Sequence, residues 1–162
     1  MESLQGKLLV APPRVLDPDF VRTVILLIQH SAGQAVGVVL NRRTDATVKQ
    51  LWRSVIEKPC DLEQHVHCGG PVPGPPMAVH TDEALSDIEI LPGLHYSVKK
   101  KNLEQLGRQP GRPLKIFDSH AGWGPGQLDD QIQQGSWQIA DATVQRVFHD
   151  EEDLWDRVVK RT

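Results

Sequence analysis

The 162-residue sequence predicts one α+β domain, residues 1–162, whose mixed sheet curls partly into a barrel. Two observations predict it. Short β-branched or alternating apolar runs recur along the chain, and helical patterns are inserted among them irregularly rather than in a repeating βα order. No internal repeat, low-complexity tract or linker interrupts them, and the length is ordinary for one domain.

Taken in order, Lys7 to Ala11 is a first short strand after Gly6, and the Pro12-Pro13 and Asp17-Pro18 pairs mark an irregular connection. Val24 to Gln29 is a run typical of a strand buried on both faces. Ser31 to Gln34 is a turn of hairpin length, and Ala35 to Leu40 pairs back through it. Thr47 and Gln50 have capping-box spacing, so the hydroxyl satisfies the third helical amide while the glutamine reaches back. Val48, Leu51, Trp52, Val55 and Ile56 then share one apolar helix face, with Pro59 as the stop.

Val66 to Cys68 reads as a strand running into Gly69-Gly70-Pro71, and Met77 to His80 as another. Ile88 and Ile90, then Tyr96 and Val98, alternate around a Pro92-Gly93 turn. A short helix carries Leu103 and Leu106 and ends at Gly107. Leu114 to Asp118 is the next strand, and Ser119 to Leu128 reads as a Gly/Trp-rich loop. The loop opens a helix with Pro125 near its first turn, Leu128 and Ile132 on one face, and Gly135 beyond its end. Trp137 and Ile139 alternate as a late strand. A C-terminal helix with Asp150 as N-cap buries Leu154, Trp155, Val158 and Val159.

Composition excludes several function classes. A net charge of -3 argues against direct nucleic-acid binding and against a polybasic membrane anchor. The longest apolar run, Val24 to Ile28, is far short of the roughly 20 residues a spanning helix needs. Met1 to Gln5 has no signal-peptide character, and Cys60 and Cys68 form no secreted-type framework, which together indicate a cytoplasmic protein with reduced thiols. Charge is uneven: residues 97–117 hold six bases and one acid, and residues 118–156 nine acids and one base. Solvated opposite faces explain such blocks; self-association or a charged partner is the alternative.

The loop from Ser119 to Leu128 meets a helix N-terminus, where backbone amides favour anions. It lacks the Lys-Ser/Thr of a nucleotide-triphosphate loop and the glycine spacing of a dinucleotide loop. Glycines that set the backbone around a packed Trp123 are the structural alternative to a ligand surface. Asp118, Ser119 and His120 hold triad residue types, but consecutive side chains on an extended segment face opposite ways. His65, His67, Cys68, Cys60 and His80 lack recognised metal-ligand spacing; a buried, inert Cys68 and a loop thiol at Cys60 are expected instead. Asn41 suits a turn cap, Arg42 a carboxylate or other anion, and Gly69-Gly70 a tight strand exit or a close approach to a ligand.

With these pieces placed, the chain resembles the bacterial YqgE/AlgH family. The resemblance rests on GKLLVA at Gly6 to Ala11, Asp17 to Phe20, GVVLNRRTD at Gly37 to Asp45, CGGPV at Cys68 to Val72, Val79-His80, AGWGPGQL at Ala121 to Leu128, and Trp137. Arg43 departs from a common proline, and Ser119-His120 from a common Gly-Tyr. The resemblance implies a compact fold with a bifurcated, partly barrel-like sheet surrounded by helices, and no established activity, cofactor or catalytic set.

The residues favour a non-enzymatic cytoplasmic domain, regulatory or binding, for a small molecule or a protein. No cofactor or metal is expected. Its ligand site is expected at Asn41, Arg42, Gly69, Gly70, His80, Gly122, Trp123, Gly124 and Gln127. One alternative is a small hydrolase or transferase using His80 or His120 as general base. The other is a structural protein–protein interaction module.

Overall fold

Strands dominate the chain, as its many short apolar runs require. The computed structural model describes residues 3–149 and 151–160. Its strands are β1 (Lys7–Val10), β2 (Val24–His30), β3 (Ala35–Val39), β4 (Arg43–Thr47), β5 (His65–His67), β6 (Val72–His80), β7 (Ile88–Leu91), β8 (Leu94–Ser97), β9 (Leu114–Trp123) and β10 (Gln138–Asp141). They form one strongly curled sheet in the order β10-β1-β2-β3-β9-β6-β8-β7, with β4 and β5 off this path. The helices are α1 (Val48–Leu51), α2 (Lys100–Leu106), α3 (Gln127–Gln133), α4 (Val144–Val147) and α5 (Glu151–Val158).

β9 is the spine. One edge pairs with β6 from Leu114 to His120; the other pairs with β5 at Phe117 and with β3 from Ala121 to Trp123. This is where the sheet bifurcates. The two glycines at residues 69–70 sit in the fork: a Cβ on Gly69 would lie 2.1 Å from the Ser119 carbonyl oxygen, and one on Gly70 2.3 Å from that of His120. The close approach here is to the β9 backbone.

β2 is buried on both faces. Val24, Leu26 and Ile28 pack toward α5 with Leu154 and Trp155, while Ile25 and Leu27 pack toward Trp123, Leu128 and Trp137. A third cluster joins Trp52, Leu103 and Leu106 to Ile116 of β9. Burying the largest of these side chains stabilises the fold by about 1.5–3 kcal/mol each before entropy is counted.

Several expectations need correction. The stretch Ser119 to Trp123 is strand, because β3 and β6 satisfy its backbone; the loop proper is only residues 124–126. The Thr47–Gln50 capping box forms, but α1 lasts four residues and continues as a π-helical turn from Trp52 to Ile56. That turn ends at Glu57 in the left-handed conformation, before Pro59 is reached. The extra residue per turn moves Val55 out of the apolar face, leaving it 47% exposed. β4, α4 and a 3₁₀ turn from Glu83 to Leu85 carry little apolar periodicity and were not expected. Cys60 lies in a loop as expected but is buried in the third cluster, and Cys68 is half-buried rather than buried. Asp150, the expected cap of α5, lies outside the described residues.

Candidate functional site

The positions where sequence segments far apart meet are the end of β9 and the start of α3. Trp123, the last residue of β9, is buried and meets Trp137 edge-on, ring centroids 6.4 Å apart. Trp137 in turn receives Phe20 edge-on at 5.5 Å. Both indole N–H groups donate to one acceptor, Oε1 of Gln131 on α3, at 3.0 Å from Trp123 and 2.9 Å from Trp137. Two donors on one amide oxygen fix the orientation of the glutamine, so its Nε2 is turned away from the indoles. At the head of α3, Oε1 of Gln127 accepts the Gly124 amide at 3.0 Å, while Gly126 supplies the left-handed turn at φ 70°.

These groups floor a cleft of about 420 Å³. Its far wall is the connection between β1 and β2, which contributes Val15, Asp17 and Phe20; Pro71 and Val72 form a rim. Gly122 opens the floor: it lies in a strand, its φ is not left-handed, and a Cβ built there meets nothing within 4 Å. A second cleft of the same volume, at Lys49, Arg53 and Cys60, is formed by a single stretch, residues 49–61. Burial raises the thiol pKa of Cys60 there, so it is a poor nucleophile.

The expected site residues separate into four groups. Gly122, Trp123 and Gln127 line the cleft, and Gly124 is bonded to Gln127 beside it. Asn41 and Arg42 stand behind the wall. The Arg42 guanidinium donates to the carbonyls of Asp19, Pro18 and Val21 at 2.6, 2.8 and 3.2 Å. Asn41 accepts from the Val24 amide and donates to the Arg22 carbonyl. Together they strap the β1–β2 connection that carries Asp17 and Phe20, and at its other end Arg14 donates to the Gly135 carbonyl just past α3. Gly69 and Gly70 are packed under β9.

His80 belongs to a separate network. Its Nδ1 accepts the Asp82 amide at 3.1 Å, and its Nε2 donates to the Ser97 hydroxyl at 2.8 Å. The Ser97 hydroxyl in turn donates to the Leu85 carbonyl. Burial, then the nearby His95, pushes the His80 pKa down to about 4. A neutral ring with both nitrogens occupied has no lone pair for a substrate proton. His120 is half-buried on the opposite face of β9 from Ser119, with no hydroxyl or carboxylate partner among the described residues. Ser119 instead accepts the Gly69 amide and bonds Asp118. Of the residues expected to hold no metal, His65 bonds the Thr44 carbonyl, and His67 packs on Phe117. Sequence reasoning missed Gln131, whose position on a polar helix face gives no local sign of two indole partners.

The sequence and the fold are shared with known proteins. An AlgH-like family profile matches residues 8–162. A UPF0301 protein of Myxococcus xanthus is 36% identical over 99% of this chain and 91% of its own length. One of Chlorobaculum tepidum is 35% identical over 96% and 84%. A crystal structure of a Corynebacterium diphtheriae protein superposes with a TM-score of 0.79 at 29% identity, covering 98% of this chain and 86% of that one. The solution structure of the AlgH protein of Pseudomonas aeruginosa gives 0.77 at 26% identity, covering 96% and 87%. The chain belongs to the AlgH-like, UPF0301 family.

Proposed function

We propose that this protein is a non-enzymatic cytoplasmic binding domain whose ligand occupies the cleft between β9, α3 and the β1–β2 connection. The observation that carries the reading is convergence. The segments of Asp17–Phe20, Pro71–Val72, Ala121–Gln127 and Trp137 form one cleft, and Asn41 and Arg42 hold its wall. Gly122 supports it. A strand glycine with neither left-handed backbone nor crowding costs stability for no internal gain, and such glycines mark places where a ligand approaches the backbone.

The lining gives no catalytic pair. Asp17 is its one ionisable side chain, and His80 is committed elsewhere. Gly122→Phe tests the reading, because Gly122 lines the cleft and a Cβ built there meets nothing within 4 Å, so a bulky ring can enter without displacing the core. In a thermal-shift screen of neutral, anionic and cationic metabolites and short peptides, ligands that stabilise the wild type should lose their effect in this variant. Stabilisation undiminished in Gly122→Phe places the ligand elsewhere.

A further inference from the structure

Resting on that reading of the cleft, we infer that its ligand is an extended, uncharged peptide segment whose main-chain carbonyls accept from the glutamines of α3. Gln127, Gln131 and Gln134 line the cleft at i, i+4 and i+7, one face of the helix and its last turn. Both indoles fill Oε1 of Gln131, and the Gly124 amide takes one of the two lone pairs on Oε1 of Gln127. Gln131 therefore offers a ligand N–H alone, and the Nε2 of Gln127 adds a second donor one turn away, so a ligand answers this pair with acceptors.

Spacing selects the kind of acceptor. Residues four apart on a helix rise about 6.0 Å. Carbonyls on one edge of an extended chain recur every two residues, about 6.7 Å. Two flexible glutamines span that small difference. Charge selects further: no lysine, arginine or histidine lines the cleft, and Asp17 is its only charge, so phosphates and carboxylates meet no counter-ion. Val15, Phe20 and Val72 give apolar contacts for small side chains, and Gly122 allows main chain to approach the floor.

Gln131→Glu isolates the claim. A carboxylate still accepts both indole N–H groups, so the floor stays intact, but the outward donors are replaced by negative charge. The probes are a library of end-capped, uncharged hexapeptides, with ATP, citrate and inorganic phosphate as anionic controls, and the readout is the Trp123 and Trp137 indole N–H resonances. Saturable shifts are expected with members of the peptide library and none with the anions. Gln131→Glu should weaken peptide binding roughly tenfold or more, with the indole resonances of the free protein still dispersed. Gln127→Ala, which leaves the indoles untouched, should weaken it severalfold. Peptide binding unchanged by both substitutions, or the absence of any peptide response, overturns the inference. Anion-induced shifts that Gly122→Phe abolishes overturn it while sustaining the cleft as the site. Shifts from any probe that persist in Gly122→Phe overturn the site itself.

Discussion

A Cβ built on Gly107 would lie 2.4 Å from the Trp52 indole nitrogen, whereas one built on Gly122 is met by nothing within 4 Å. The two glycines should respond oppositely to alanine. Gly107→Ala must displace a fully buried indole and is expected to cost about 1–3 kcal/mol in urea unfolding. Gly122→Ala is expected to leave stability unchanged or raise it by about 0.4–1 kcal/mol, since the unfolded chain loses more freedom than the strand does. Trp123→Ala should cost roughly 3–5 kcal/mol, because the side chain is buried against Trp137 and bonded to Gln131. That burial was legible in the Gly/Trp pattern. Its partner Gln131 was not, because a glutamine on a short polar helix reads as solvated until the chain brings two tryptophans to it.

The connection between β1 and β2 is held less by its own structure than by side chains from outside. Three carbonyls of residues 18, 19 and 21 converge on the Arg42 fork. Arg42→Ala should therefore accelerate hydrogen exchange at the Phe20, Val21 and Thr23 amides, with a far smaller effect in β2. Arg42→Lys should not restore protection, since a single ammonium cannot reproduce the planar fork. Equal protection in wild type and Arg42→Ala would mean the connection holds itself. The residues here were singled out in the sequence, but for an external anion. A guanidinium's fork suits carboxylates and backbone carbonyls alike, and only the fold tells which is in reach. The same limit explains β9: alternation predicted a strand to Asp118, whereas pairing with β3, remote in sequence, extends it through Trp123.

Across the whole molecule, part of the acidic block of the sequence is answered by partners within the chain. Asp141 pairs with Lys7, Asp156 with Arg22, Asp129 with His30, and Asp153 with His149 and Arg157. On the basic side, Lys115 is not solvated at all but buried, donating to the Leu40 carbonyl. The α+β class and the curled sheet were legible because strand periodicity and helix caps are local. The bifurcation depends on β9 serving β3, β5 and β6, which no local pattern encodes.

One global property follows from His80. The unfolded chain takes up a proton at this histidine near pH 6.5, whereas the folded protein refuses it until about pH 4. Stability from this site is thus full above the unfolded value and is lost as pH falls toward the folded one, by roughly 3 kcal/mol over the window. Urea midpoints should drop across it in the wild type and drop less in His80→Gln; parallel profiles would contradict the assignment.

The cleft is the claim on which the functional account stands, and the Trp123 and Trp137 indole N–H resonances report on its floor directly. Titrating end-capped, uncharged hexapeptides into the wild type should move both, and the same titration into a folded Gly122→Phe protein should move neither. Indole shifts of equal size and affinity in the two proteins would contradict it.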